Sequence, residues 1–183
     1  ENALKSYQEA LRIAEDLDDK NLQGEVLKEM ANYANRQKEH WKAHEYSKQA
    51  KRLCESVNNL TCVATTLRTR GLTYRNQENL DSAEIMFLAS FEIKKAQKDT
   101  VGLSYAYNDL SSIELAKKNY EKAIEYLKLS SKIRQSIGDK QGITIDINNV
   151  GEIYFYKGDY VKAIEYFEKS LVLSRELKFV DLV

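Results

Sequence analysis

The stretch GDKQGITIDINNVGEIYFYKGDYVKAIEYFEKSL, residues 138–171, holds one whole architectural unit of this chain. Its first half sets Ile143, Ile147, Val150, Gly151 and Tyr154 at helical spacing, which predicts an amphipathic helix. Gly158 and Asp159 then break it, the glycine accepting the left-handed backbone that closes a helix and the aspartate capping the next one. A second helix follows, with Ala163, Ile164, Phe167, Ser170, Leu171 and Ser174 as its inward stripe. Working back from this unit, Ala43, Ala83, Ala123 and Ala163 stand forty residues apart, and each is followed by Tyr46, Met86, Tyr126 or Tyr166. A period of that length predicts a solenoid whose units bury their apolar faces on one another.

Polar pairs mark the turns between units at Asp18-Asp19, Asn58-Asn59, Lys98-Asp99 and Gly138-Asp139. Within units, Asn79 and Asn119 stand where Asp159 stands. The chain has no proline and no alternating strand pattern, so the reading is all-α. In this register residues 1–183 form a single array. Residues 1–20 supply only a second-type helix, and 21–60, 61–100, 101–140 and 141–183 supply complete units. A front unit of one helix and the lack of a polar capping helix after the last unit lead us to expect a piece of a longer protein.

The 28 basic and 28 acidic residues cancel. No overall field therefore favours nucleic acid or an anionic membrane, and neither is expected as a partner. The sequence has no apolar run of membrane-spanning length and no signal peptide, so a cytoplasmic setting is expected. Cys54 and Cys62 flank the Asn58-Asn59 turn and could meet across an antiparallel helix pair. Their expected state in such a setting is two free thiols packed as small apolar groups.

The small residues Ala31, Gly71, Ser111 and Gly151 in the first helices, the four repeat alanines, and Ala50, Ser90, Ser130 and Ser170 resemble the small positions of the tetratricopeptide repeat. Tyr74, Tyr154, Phe87, Leu127 and Phe167 resemble its large ones. The resemblance implies a right-handed α-α superhelix of antiparallel helix pairs. Two departures stand out: the period is forty rather than about 34 residues, and Glu55, Lys95, Gln135 and Arg175 occupy the place of the closing proline. Units of this length are similar to those of kinesin light chains, Rap-type regulators, spindle-orientation adaptors and the sensor halves of bacterial signalling proteins. The resemblance thus implies a protein- or peptide-binding scaffold, the sensory or regulatory part of a bacterial signalling or transcription-regulatory protein. A Rap-like modulator and a self-assembly module that forms homo-oligomers through open solenoid ends are the alternatives.

In this family the first helix of each pair lines the concave wall. Carried onto this chain, the expected groove residues are Lys28, Asn32, Asn35, Arg68 and Arg75 in the front half, with Tyr105, Asn108, Asn148, Glu152 and Phe155 in the rear half. Glu25, Thr65, Leu72, Ser112, Leu115 and Ile145 stand beside them. The front is cationic and the rear aromatic and amide, a pattern suited to an extended or helical peptide. Lys28 and Asn32 also match two members of a carboxylate clamp, but Thr69, Tyr105 and Asp109 do not match the rest.

Nothing points to catalysis, a cofactor or a metal. His40 and His44 have the i, i+4 spacing of metal ligands but lack a glutamate between them and a third ligand. There is no phosphate loop, serine elbow or kinase motif. Trp41, opposite Asp81, Glu121 and Val161 in the other units, is expected to cover the preceding helix or to meet a partner. Arg70 and Glu114, charged where other units are apolar or aromatic, are expected to pair.

Overall fold

In a computed structural model, the backbone is described for residues 2–180 and the side chains for 3–177. The described residues are all-α: α1 (Asn2–Asp16), α2 (Lys20–Arg36), α3 (His40–Ser56), α4 (Leu60–Asn76), α5 (Leu80–Ala96), α6 (Thr100–Ala116), α7 (Tyr120–Ser136), α8 (Lys140–Lys157) and α9 (Tyr160–Val180).

The turns explain this regularity. A residue with positive φ recurs every twenty positions, at Asp18, Lys38, Asn58, Glu78, Lys98, Lys118, Gly138 and Gly158. The next residue sends its N–H back to a carbonyl five positions earlier, as from Asn59 to Cys54 at 2.8 Å and from Asp139 to Arg134 at 2.9 Å. This is a Schellman-type closure. That same residue then caps the following helix: Asp19, Asn59, Asn79, Asp99, Asp139 and Asp159 each accept a backbone N–H. One residue ends a helix and its neighbour starts another. Each turn thus consumes three residues and leaves 17-residue helices, as in α2 through α7.

The described chain forms two compact units, one of α1 to α5, ending at Gln97, and one from Lys98 with α6 to α9. In the first, α2 packs on α3 and α4 on α5, while α3 and α2 both touch α4. In the second, α6 packs on α7 and α8 on α9, with α7 also against α8. Small residues permit these crossings: Ala43, Ala50, Ala83 and Ala123 are fully buried. Buried serines close them, Ser90 donating to the Ala64 carbonyl, Ser130 to Ser104 and Ser170 to Thr144.

Two expectations change here. Cys54 and Cys62 are joined in a disulfide rather than left as thiols, because the tight turn brings their Cα atoms to 5.8 Å. Glu114 is satisfied within its own unit. Its carboxylate accepts from Lys122 at 2.6 Å and Asn119 at 2.8 Å, while the buried Nε of Arg70 has no hydrogen-bond partner among the described residues. Burial works against the Glu114 carboxylate, yet the bonds from Lys122 and Asn119 prevail and hold it below the usual range. Lys122→Ala is therefore expected to cost about 1 to 3 kcal/mol in urea denaturation, against under about 0.5 for the exposed Lys132→Ala. A lowered pKa stabilises above the ordinary carboxylate range and is lost as pH falls through the folded value, so the Lys122→Ala deficit should shrink in acid. Equal deficits for the two variants at neutral pH would contradict this.

Candidate functional site

The helix-face residues read from the sequence fall five in each unit. In the first, α2 carries Lys28, Asn32 and Asn35, and α4 carries Arg68 and Arg75. The Lys28 ammonium is largely buried and bonded to Glu25, with Glu29 at 3.4 Å, so its charge is compensated locally. Burial opposes its charge, but those carboxylates outweigh it and raise its pKa. Asn32 accepts from Thr69 at 2.8 Å, Asn35 accepts from Asn76 at 3.1 Å, and Asn59 donates to Asn21 at 2.6 Å. These amides bind α2 to α4 and its cap. Part of the amide row thus serves as inter-helix mortar, and the clamp pairing of Lys28 with Asn32 is occupied sideways.

In the second unit, α6 carries Tyr105 and Asn108, and α8 carries Asn148, Glu152 and Phe155. Tyr105 is 45% exposed and Phe155 50%. Ile145, forty residues after Tyr105, is 53% exposed. Behind Tyr105 lies a fully buried charge pair. The Arg134 guanidinium of α7 sits 5.1 Å from the Tyr105 ring centroid, a cation-π distance. Arg134 Nε is 3.3 Å from Asp146 Oδ2, and a second guanidinium nitrogen is 3.6 Å from Asp139. Asn108 donates to Asp146 at 3.1 Å and Ser131 donates at 3.2 Å. Burial raises the Asp146 pKa despite Ser130, Arg134, Asn108 and Ser131, which favour the charged form. The network fixes the backs of Tyr105 and Asn108 and leaves the Tyr105 ring presented to solvent. Asn148 is half-buried and Glu152 exposed.

Sequence reading missed Arg134 and Asp146. The available signal was an arginine at the register of Cys54 and an aspartate at that of Val26, Thr66 and Ala106. It also missed Tyr160, which with Phe155 and Tyr156 forms an exposed aromatic cluster at the α8–α9 turn, centroids 5.6 and 5.7 Å from Phe155. Trp41 is 74% exposed and does not cover the preceding helix. His44 lies tilted against Tyr74, with ring centroids 4.6 Å apart, and bonds Gln77 at 3.0 Å. Among the described residues no group of His, Cys, Asp and Glu is arranged to hold a metal, and no helix is long and apolar enough to cross a membrane.

Residues 62–140 and 147–177, together more than half of the chain, match models of the tetratricopeptide repeat. The chain belongs to the tetratricopeptide repeat family. Such arrays are protein-interaction scaffolds. No curated protein matches the sequence significantly. Among solved structures, BtubC from P. vanneervenii superposes with a TM-score of 0.79 at 19% identity, over 97% of this chain and 74% of that one. A Rap protein in complex with competence and sporulation factor gives 0.86 at 17%, over 96% and 49%. A signal transduction ATPase with numerous domains and a tetratricopeptide repeat sensor, from Pyrococcus horikoshii, gives 0.76 at 24%, over 92% and 27%. The chain thus spans about half of that Rap protein and about a quarter of the ATPase. At these identities the likenesses show the fold of the tetratricopeptide array.

Proposed function

We propose that residues 1–183 act as one array that docks a protein or peptide, without catalysing a reaction, and that it is the sensory or regulatory part of a bacterial signalling or transcription-regulatory protein working in the cytoplasm. The observation that carries the docking reading is the row of exposed apolar side chains Tyr105, Ile145 and Phe155, with the Tyr105 ring backed by a buried ion pair. Exposed apolar surface on a rigid support is what a partner's anchor residues use. The regulatory part of the proposal draws on the Rap protein solved with its factor and on the ATPase whose repeats are described as a sensor.

The face of the first unit suits an acidic segment and the face of the second an apolar one. Arg68 and Arg75 carry the positive charge proposed to attract the first. Tyr105 and Phe155 hold the second. Arg68→Glu combined with Arg75→Glu is expected to slow association and flatten its dependence on salt. Phe155→Ala should mainly speed dissociation, at a cost of about 1 to 3 kcal/mol in affinity. The experiment is capture of partners from native cytoplasm, then binding kinetics on variants whose helicity is intact by circular dichroism. Unchanged kinetics in both variants would remove the site from these helix faces.

A second reading, self-assembly, draws on α9, whose Val161, Ile164, Leu171 and Val172 are exposed. Sedimentation at several concentrations separates it from a monomeric receptor.

A further inference from the structure

One place in the repeat register fastens the end of a second-type helix to the start of the next pair. In the second unit it is polar. Arg134, at the end of α7, is 2% exposed and reaches Asp139 and Asp146 at the head of α8. Its path runs over Gly142, where a Cβ would lie 1.9 Å from the guanidinium, so glycine is required for the crossing. Forty residues earlier the register reads Lys94 and Gly102, and forty before that Cys54 and Cys62. Cys54 and Cys62 make the same link, from the end of α3 to the start of α4, as a covalent bond. A third helix closes on it: a Cβ at Gly24 of α2 would lie 2.6 Å from the Cys54 sulfur.

We propose that the Cys54–Cys62 bond is a reversible redox clasp that fastens the α3–α4 junction where Arg134 fastens α7 to α8. An ion pair cannot be switched by thiol chemistry, and this bond can. In closing, the thiolate of one cysteine attacks a low-molecular-weight disulfide and releases one external thiol. The second cysteine then displaces the other external thiol from the mixed disulfide. Two protein thiols and one external disulfide become one protein disulfide and two external thiols, which carry off the two protons. A dithiol reductant runs the exchange backwards. Both cysteines are fully buried, so exchange requires the turn at Asn58 and Asn59 to open. That turn is held by the bond from Asn59 to Asn21 on α2. Once the link is cut, two separate sulfurs need van der Waals room that α2 does not leave at Gly24, and the junction must loosen.

The test compares the protein equilibrated with oxidised glutathione and with dithiothreitol. Each sample is denatured without reductant, alkylated with iodoacetamide and weighed, and its thermal midpoint and hydrogen exchange across residues 50–66 are measured. The oxidised sample is expected to take up no alkyl group and the reduced sample two. Reduction should lower the midpoint by about 5 °C or more and speed exchange at the junction about tenfold or more. Cys54→Ser combined with Cys62→Ser should melt near the reduced protein in both buffers. If that variant does not fold, the wild-type comparison decides alone. Two alkyl groups on the glutathione sample would overturn the proposal, as would identical midpoints and exchange for the oxidised and fully reduced protein.

Discussion

Arg134→Ala will destabilise the second unit by about 3 to 5 kcal/mol at neutral pH. Among the described residues Arg134 is the largest fully buried side chain, so its removal opens a void between α7 and α8. It also strands Asp146, which is 0% exposed and would keep only Asn108, Ser130 and Ser131 around its carboxylate. The electrostatic share can be separated from the packing share. Arg134→Met with Asp146→Leu removes both charges and keeps most of the volume, so it should recover much of the loss. The pH dependence gives a second check. Burial already raises the Asp146 pKa in the native protein, and loss of the cation raises it further. A raised folded pKa stabilises fully below the unfolded value and is lost as pH rises through the folded one. The Arg134→Ala deficit should therefore be smaller at about pH 5 than at about pH 7. A double variant as unstable as the single one, with a deficit independent of pH, would leave packing as the whole cause. Because Tyr105 leans on this guanidinium, the variant should also weaken capture of a partner by the second unit.

Phe87→Ala should cost about 3 to 5 kcal/mol in the first unit. Phe87 of α5 is 1% exposed and packs against the bare backbone of Gly71 in α4, where a Cβ would stand 2.5 Å from the ring. The two residues are one packing device. Gly71→Ala alone pushes on a ring with no room to retreat and should cost about 1 to 3 kcal/mol. Combining Gly71→Ala with Phe87→Leu should cost less than the sum of the two single changes, since the smaller side chain makes room for the methyl group. Strict additivity in urea titrations would mean that the helix pair is not held by this contact.

The repeat and its helices were legible because their causes are local. A left-handed residue every twenty positions, followed at six of the eight turns by a capping Asp or Asn, sets where helices stop and start, and small residues at a fixed spacing set where they cross. The candidate site was legible only in outline. Exposure of Tyr105 and Phe155 followed from helix phase, but the states of Lys28, Asn32, Asn35 and Asn108 did not, because each is decided by a neighbour on its own or an adjacent helix. Trp41 resisted for the same reason: a missing cover cannot be read from one helix.

Hydrophobic period, caps and small residues act within a few positions of one another, so the order of residues is enough to give an all-α tetratricopeptide array, its turns and the faces its helices show. Tertiary structure alone decided which polar groups are already satisfied. Glu114 goes to Lys122, Asp146 to Arg134 and Asn108, and Cys54 to Cys62. Each choice turns on distances of a few ångströms between residues that the sequence separates by up to 38 positions, where hydrogen-bond and covalent geometry discriminates and periodicity does not.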